Sequence, residues 1–153
     1  MALDNDLEAV LGVHASPVAE PEAPALSVVT EMSVSPIRVQ WERWKPAFAQ
    51  AMEGSIHDID DLERKIGQGR AYLFPGEKAA VVGEKAAYSG ETVFQTLWAV
   101  GDMEDALKLL PGIEAYARLI GCTSMLVEGR RGWERVLKPS GYAFWSVTVR
   151  KGL

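Results

Sequence analysis

The sequence predicts an α+β (α/β) domain whose mixed, mostly antiparallel central sheet is flanked by helices and preceded by an extended N-terminal arm. Three observations carry this reading. Apolar residues recur at helical spacing from Trp41 to Ile66, and three strand-like runs then follow in close succession between Pro-Gly and Gly turns. A long helical pattern from Met103 separates those runs from another apolar strand, Thr123-Ser124-Met125-Leu126-Val127, and a helical crossover joins parallel strands. Residues 1–36 differ in composition: the stretch His14-Ala15-Ser16-Pro17-Val18-Ala19-Glu20-Pro21-Glu22-Ala23-Pro24 is too rich in proline and acid to pack compactly.

The division is therefore an acidic, proline-rich arm over 1–36 and a domain over 37–153. Within the arm, Leu3, Leu7, Val10 and Leu11 share one helical face, which fits a short docking helix over 3–12 as well as it fits a frayed terminus. In the domain, Trp41, Trp44, Phe48 and Ala51 mark a first helix with Pro46 near its first turn, where proline is tolerated, and Gly54 ends it. Asp58 opens a second helix, Asp61 makes a shortened capping box, and Ile59, Leu62 and Ile66 form its buried face before Gly67 and Gly69. The meander Ala71–Phe74, Ala79–Gly83 and Val93–Val100 follows, with turns at Pro75-Gly76 and Gly90.

The third helix runs from Met103 to about Ile120. Asp102 is its natural N-cap and Glu104 and Asp105 fill its first turn; Pro111 should kink or split it, and Gly121 closes it. After the parallel strand at 123–127, a short helix from Trp133 to Lys138 leads through Pro139-Ser140-Gly141 into a last strand, Tyr142 to Val149. Trp98 and Trp145 sit in apolar strands, so core packing accounts for them, and Trp133 reads as a lid on the core.

Asp and Glu exceed Lys and Arg by 21 to 16, but the six acids before Arg38 leave 15 acids against all 16 bases in the rest of the chain. That balance provides no overall field for nucleic acid or an anionic membrane. A local basic cluster, Arg130, Arg131, Arg135 and Lys138, fits either a phosphate grip or a solvated face in which Arg131 or Arg135 pairs with Glu128 or Glu134. Cys122 is the only cysteine, so an intramolecular disulfide is impossible and a packed thiol in a reducing compartment is expected. His14 and His57 stand in no metal-ligand spacing, so no metal is expected; His57 beside Asp58 and Asp60 reads as helix-start polarity. No apolar run reaches the ~18 residues of a membrane span, and Asp4, Asp6 and Glu8 occupy the place of a signal peptide's basic region.

Two helices, three antiparallel strands, a long helix, a parallel strand, a short helix and a final strand resemble the Gcn5-related N-acetyltransferase (GNAT) fold over residues 38–153. Leu109-Leu110-Pro111-Gly112-Ile113-Glu114 with Gly121-Cys122, and Val127-Glu128-Gly129-Arg130-Arg131-Gly132-Trp133-Glu134-Arg135 with Gly141-Tyr142, are similar to the small GNAT-like proteins encoded by tailed phages and prophages. The resemblance implies that acetyl-CoA would lie along Trp98, Ala99, Val100 and Gly101 with Arg130 or Arg131 on its phosphates. It also implies a general base and a general acid, for which Glu91 and Tyr142 are the candidates. Two positions depart from the pattern. The glycine- and base-rich turn of active members is Gly101-Asp102-Met103-Glu104-Asp105-Ala106 here, and Leu137 stands where a proton-donating tyrosine is common.

From these departures, the expected function is a non-catalytic or degenerate acetyltransferase that joins a phage or cellular protein assembly through its N-terminal arm, without a cofactor. The alternative is an active enzyme moving acetyl from acetyl-CoA to a primary amine. The expected location is the cytoplasm of a bacterial host or the virion.

Overall fold

The computed structural model describes residues 36–153, so residues 1–35 of the expected arm, with its docking helix, lie outside the described residues, and Pro36 begins a helix. A four-stranded sheet in the order β1-β2-β3-β4 separates two helical layers. Its strands are β1 (Tyr72–Pro75), β2 (Ala79–Tyr88), β3 (Glu91–Gly101) and β4 (Ser124–Val127). The first three form the expected antiparallel meander, and β4 runs parallel to β3.

Strand alternation sorts the core into two halves. Ala71, Leu73, Ala80, Val82 and Val100 face helices α1 (Pro36–Met52) and α2 (Ile59–Gly67), where they meet Trp41, Trp44, Phe48, Leu62 and Ile66. Tyr72, Phe74, Ala79, Val81 and Phe94 turn the other way, onto Leu109, Ile113, Tyr116 and Ala117 of helix α3 (Met103–Leu119). Tyr116 is the centre of that half: its fully buried ring stands edge-on to Tyr72, Phe74 and Phe94 at centroid distances of 5.1, 5.7 and 6.4 Å. Such edge-to-face pairs contribute about 0.5–1.5 kcal/mol each beyond the area they bury.

Two prolines lie elsewhere in their helices than the sequence suggests. Because α1 begins at Pro36, Pro46 falls in its interior, and α3 passes through Pro111 without splitting. Both prolines are exposed, while buried residues flank each of them: Trp44 and Phe48 around the first, Leu110 and Gly112 around the second. Packing on either side holds the helix where one backbone bond is lost. Met52, not Ala51, completes the buried face of α1. The Asp58 carboxylate caps α2 by accepting from the Asp60 amide at 3.1 Å, but Asp61 pairs with Arg64 rather than reaching back.

The C-terminal end also differs. Helix α4 (Gly132–Leu137) and a 3₁₀ turn (Lys138–Ser140) lead to Gly141 in a left-handed conformation, but the expected strand from Tyr142 to Val149 does not form. The Tyr142 hydroxyl donates to Glu114 Oε1 of α3 at 3.0 Å, and beyond it Phe144, Trp145, Val147 and Val149 are all exposed. Trp145 is therefore not a core residue. Cys122 is buried at the base of β4, and that burial pushes its thiol pKa up, as expected of a packed rather than a nucleophilic sulfur.

The sheet carries one irregularity. Val82 pairs with Trp98 and the next residue, Gly83, pairs with Thr96, so Leu97 is an extra residue in β3. Gly83 sits beside this bulge under the ring of Phe94, where an added Cβ would fall 2.3 Å from a ring carbon. Gly83→Ala is expected to destabilise the domain by about 1–3 kcal/mol through overpacking, read as a lower urea midpoint at constant slope. Combining it with Phe94→Leu should cost less than the sum of the two single changes, because both act on one contact.

Candidate functional site

The bulge at Leu97 divides β3 into two parts with different neighbours. From Val93 to Thr96 the strand pairs with β4, ending at Thr96 opposite Val127. Beyond Thr96 it stays paired with β2 as far as Gly101, but among the described residues no strand accompanies it on the β4 side. A bulge bends and twists the strand that carries it, and here the bend coincides with the end of the β3–β4 ladder. Between the separated strands lies a cleft of about 550 Å³. Leu97–Gly101 form one wall and Val127–Arg130 the other; Met103, Ala106 and Leu110 of α3 line its floor together with Leu137. Trp133 closes one side by lying against Gly129, where a Cβ would come 2.6 Å from the indole Cδ1.

Helix α3 starts at the end of this cleft, and two carboxylates there, Asp102 and Asp105, are committed to backbone. Asp102 Oδ1 accepts from the Asp105 amide at 2.9 Å, and Asp105 Oδ2 accepts from the Lys78 amide in the β1–β2 turn at 2.7 Å. The Asp102 amide donates in turn to the Lys78 carbonyl at 2.9 Å. Gly101, at φ +89°, makes this approach possible: a Cβ there would lie 2.2 Å from the Lys78 oxygen. The acids thus tie the turn before β2 to the helix start, while the first-turn amides of Met103 and Glu104 have no carbonyl within the helix to bond.

A smaller recess of about 180 Å³ adjoins the cleft at the bulge. His57, Leu97, Trp98 and Glu128 line both spaces. Asp58, Asp61 and Glu84 add acidic charge, offset by Lys65, which lies 3.3 Å from Glu84. His57 meets the Trp98 indole edge-on, with ring centroids 5.5 Å apart. The bulge creates this contact. In an unbroken strand Trp98 would share the face of Phe94 and lie under α3; instead Leu97 and Trp98 both pack with the α1–α2 layer.

No family model matches the chain, and no curated protein matches it in sequence. Solved structures do match. An acetyltransferase of Trypanosoma brucei is similar over 75% of this chain and 94% of its own, at TM-score 0.58 and 9% identity. An aminoglycoside N-acetyltransferase in complex with CoA is similar over 74% and 90%, at TM-score 0.56 and 14% identity. A GNAT family acetyltransferase of Staphylococcus aureus is similar over 75% and 93%, at TM-score 0.50 and 13% identity. The chain has the GNAT fold.

Within this GNAT fold, the cleft gathers Trp98, Ala99, Val100, Gly101 and Arg130, five of the six residues singled out for a cofactor. Arg131 does not line it; it is the residue that precedes α4, and it is exposed. No ion pair among the described residues involves Arg130, Arg131 or Arg135, so the expected pairing with Glu128 or Glu134 is not formed. Neither candidate for proton transfer lines the cleft. Glu91 begins β3, ten residues from Gly101, and accepts from the Ser124 hydroxyl. Tyr142 is bound to Glu114, and burial together with that carboxylate pushes its pKa up. The titratable residues that line the cleft besides Arg130 are His57 and Glu128. Their spacing in sequence gives no hint of proximity, which depends on the bulge.

The structural role of the helix-start acids has a direct consequence. Asp102→Ala is expected to destabilise the domain by about 0.5–2 kcal/mol through loss of the cap, whereas Asp102→Asn retains an oxygen for the Asp105 amide and should stay within about 0.5 kcal/mol of the parent. Urea denaturation of the two variants separates capping from charge.

Proposed function

We propose that this protein is an acetyl-CoA-dependent N-acetyltransferase acting on a primary amine. The observation that carries the reading is the stretch Leu97–Gly101, which remains in a strand yet, among the described residues, has no strand on its β4 side. Backbone groups there that point away from β2 are ready to bond an extended ligand carrying amides, as the pantetheine arm of CoA does. The cleft has room and an apolar lining for that arm. Arg130 would meet phosphate charge at its rim. When bound, acetyl-CoA supplies an activated acetyl thioester.

The chain's own residues would do the rest. Trp98 and Trp133 wall off water on two sides of the cleft. Asp58 and Glu128 in the recess, where Asp61 is already paired with Arg64, would attract a cationic amine. An amine must lose a proton before it can attack a carbonyl, and His57 and Glu128 stand where recess and cleft meet, suited to accept it. The cleft is lined by Leu137 rather than a phenol, so the lining residues that can move a proton are these two.

A second reading rests on the helix start: a non-catalytic GNAT-like protein acting in a phage or cellular assembly through residues 1–36. Asp102, Glu104 and Asp105 stand where a diphosphate would approach α3. One carboxylate ~4 Å from a phosphate charge opposes binding by about 1 kcal/mol in water and about 4 at an effective dielectric of 20. The two readings separate by calorimetry with acetyl-CoA. The enzyme reading expects measurable binding by the parent, and affinity at least about fivefold tighter in Asp102→Asn/Glu104→Arg, the equivalent of ~1 kcal/mol. Absence of binding to either protein at millimolar ligand would remove the enzyme reading. In the same reading, His57→Ala should lower the rate of amine acetylation about 100-fold or more while leaving acetyl-CoA affinity within a few-fold.

A further inference from the structure

Charge in this chain is sorted by position. Residues 1–35 hold six acids and no base, residues 129–153 hold six bases against one acid, Glu134, and residues 36–128 carry 14 acids and 10 bases. The cationic excess therefore lies wholly at the C-terminal end. Its bases, Arg130, Arg131, Arg135, Lys138, Arg150 and Lys151, are all exposed. Among the described residues none of the six is in an ion pair, whereas Lys45, Arg64, Lys65, Lys108 and Arg118 each meet a carboxylate.

The same end of the chain leaves apolar surface in water. Phe144, Trp145, Val147 and Val149 are exposed, Trp145 at 81%, with Ser146 and Thr148 between them. Large apolar side chains left close together at a surface mark an interaction site. Bases flank them on both sides. The Tyr142 amide donates to the Leu137 carbonyl at 3.4 Å, so the apolar segment starts at the end of α4, the helix that carries Arg135, and Arg150 and Lys151 follow it directly.

We propose that residues 1–35 of the same chain dock on this basic, aromatic surface. The arm supplies both halves of the complement: Asp4, Asp6 and Glu8 are interspersed with Leu3, Leu7 and Val10. The rest of the domain, with more acids than bases, repels it, so the C-terminal end is where the arm's charge is neutralised. Length sets no obstacle. Thirty-five residues preceding Pro36 extend to about 115 Å, against a radius of gyration of about 14 Å for a domain of this size. Tethering also gives the arm an effective concentration of roughly millimolar at the surface, which favours it over an acidic partner in solution. Exposed ion pairs are weak singly, so the docking depends on many charges acting together and is screened by salt. It is independent of either reading of the function.

The test uses the full chain labelled with 5-fluorotryptophan, whose five tryptophans give five fluorine signals, Trp145 being assigned by Trp145→Phe. The shift of the Trp145 signal between H₂O and D₂O reads its contact with solvent. It should be less than half that of the free amino acid in the parent chain, and should rise to the full value when Asp4, Asp6, Glu8, Glu20, Glu22 and Glu31 are replaced by their amides. These substitutions lie outside the domain and remove none of its contacts. Carbodiimide coupling should join the arm's carboxylates to Lys138 and Lys151 within one chain, in preference to the exposed Lys78 and Lys108. A Trp145 signal that shows the full solvent shift in the parent would overturn the proposal. So would cover that survives neutralising the six acids, cover that grows with protein concentration and so comes from another copy, or couplings spread evenly over the four lysines.

Discussion

Leu97 and Trp98 are consecutive residues of β3 whose side chains both pack toward the α1–α2 layer, and the functional architecture depends on that insertion. One extra residue reverses the facing of everything after it. Before it, Phe94 belongs to the aromatic cluster around Tyr116; after it, Trp98 and Val100 belong to the opposite half of the core. The same insertion ends the ladder with β4, so the strands part and a cleft opens between them. It also turns Trp98 toward His57, joining the cleft to the acidic recess. Gly83, opposite the bulge, leaves the space that the Phe94 ring fills.

The helix start at Asp102 has one set of charges serving structure. Its carboxylates hold the β1–β2 turn against α3 through the Asp105 and Lys78 amides. That interaction rigidifies the end of the cleft, since Gly101, Lys78 and Asp102 are locked together at close range. The same negative charge opposes an anionic ligand on the helix amides. Arg130 on the far wall is the cleft's own cation against it.

Element order was legible in the sequence because the helices repeat at three and four residues and the meander turns are marked by Pro75-Gly76 and Gly90. Asp102 as the cap of α3 was legible for the same local reason. The bulge was not: a run such as Phe94-Gln95-Thr96-Leu97-Trp98 reads as one continuous strand, and its extra residue is defined only by pairing with β2. His57 was missed in consequence, as a lone histidine in a connection has no sequence signal for the tryptophan it meets. Local patterning also assigned 142–149 to the sheet, although strand propensity specifies no partner. Glu91 was read as lying before the central strand, whereas it is the first residue of β3, at the end away from the cleft.

The central claim is that the unaccompanied stretch of β3 is the ligand-binding surface of this GNAT fold. Amide hydrogen exchange along β3, with and without acetyl-CoA, tests it most directly. Added protection is expected only in peptides covering Leu97–Gly101 and the facing Val127–Arg130, with Glu91–Gln95 unchanged. Protection that appears elsewhere, or none at ligand concentrations where binding is measured, would contradict it.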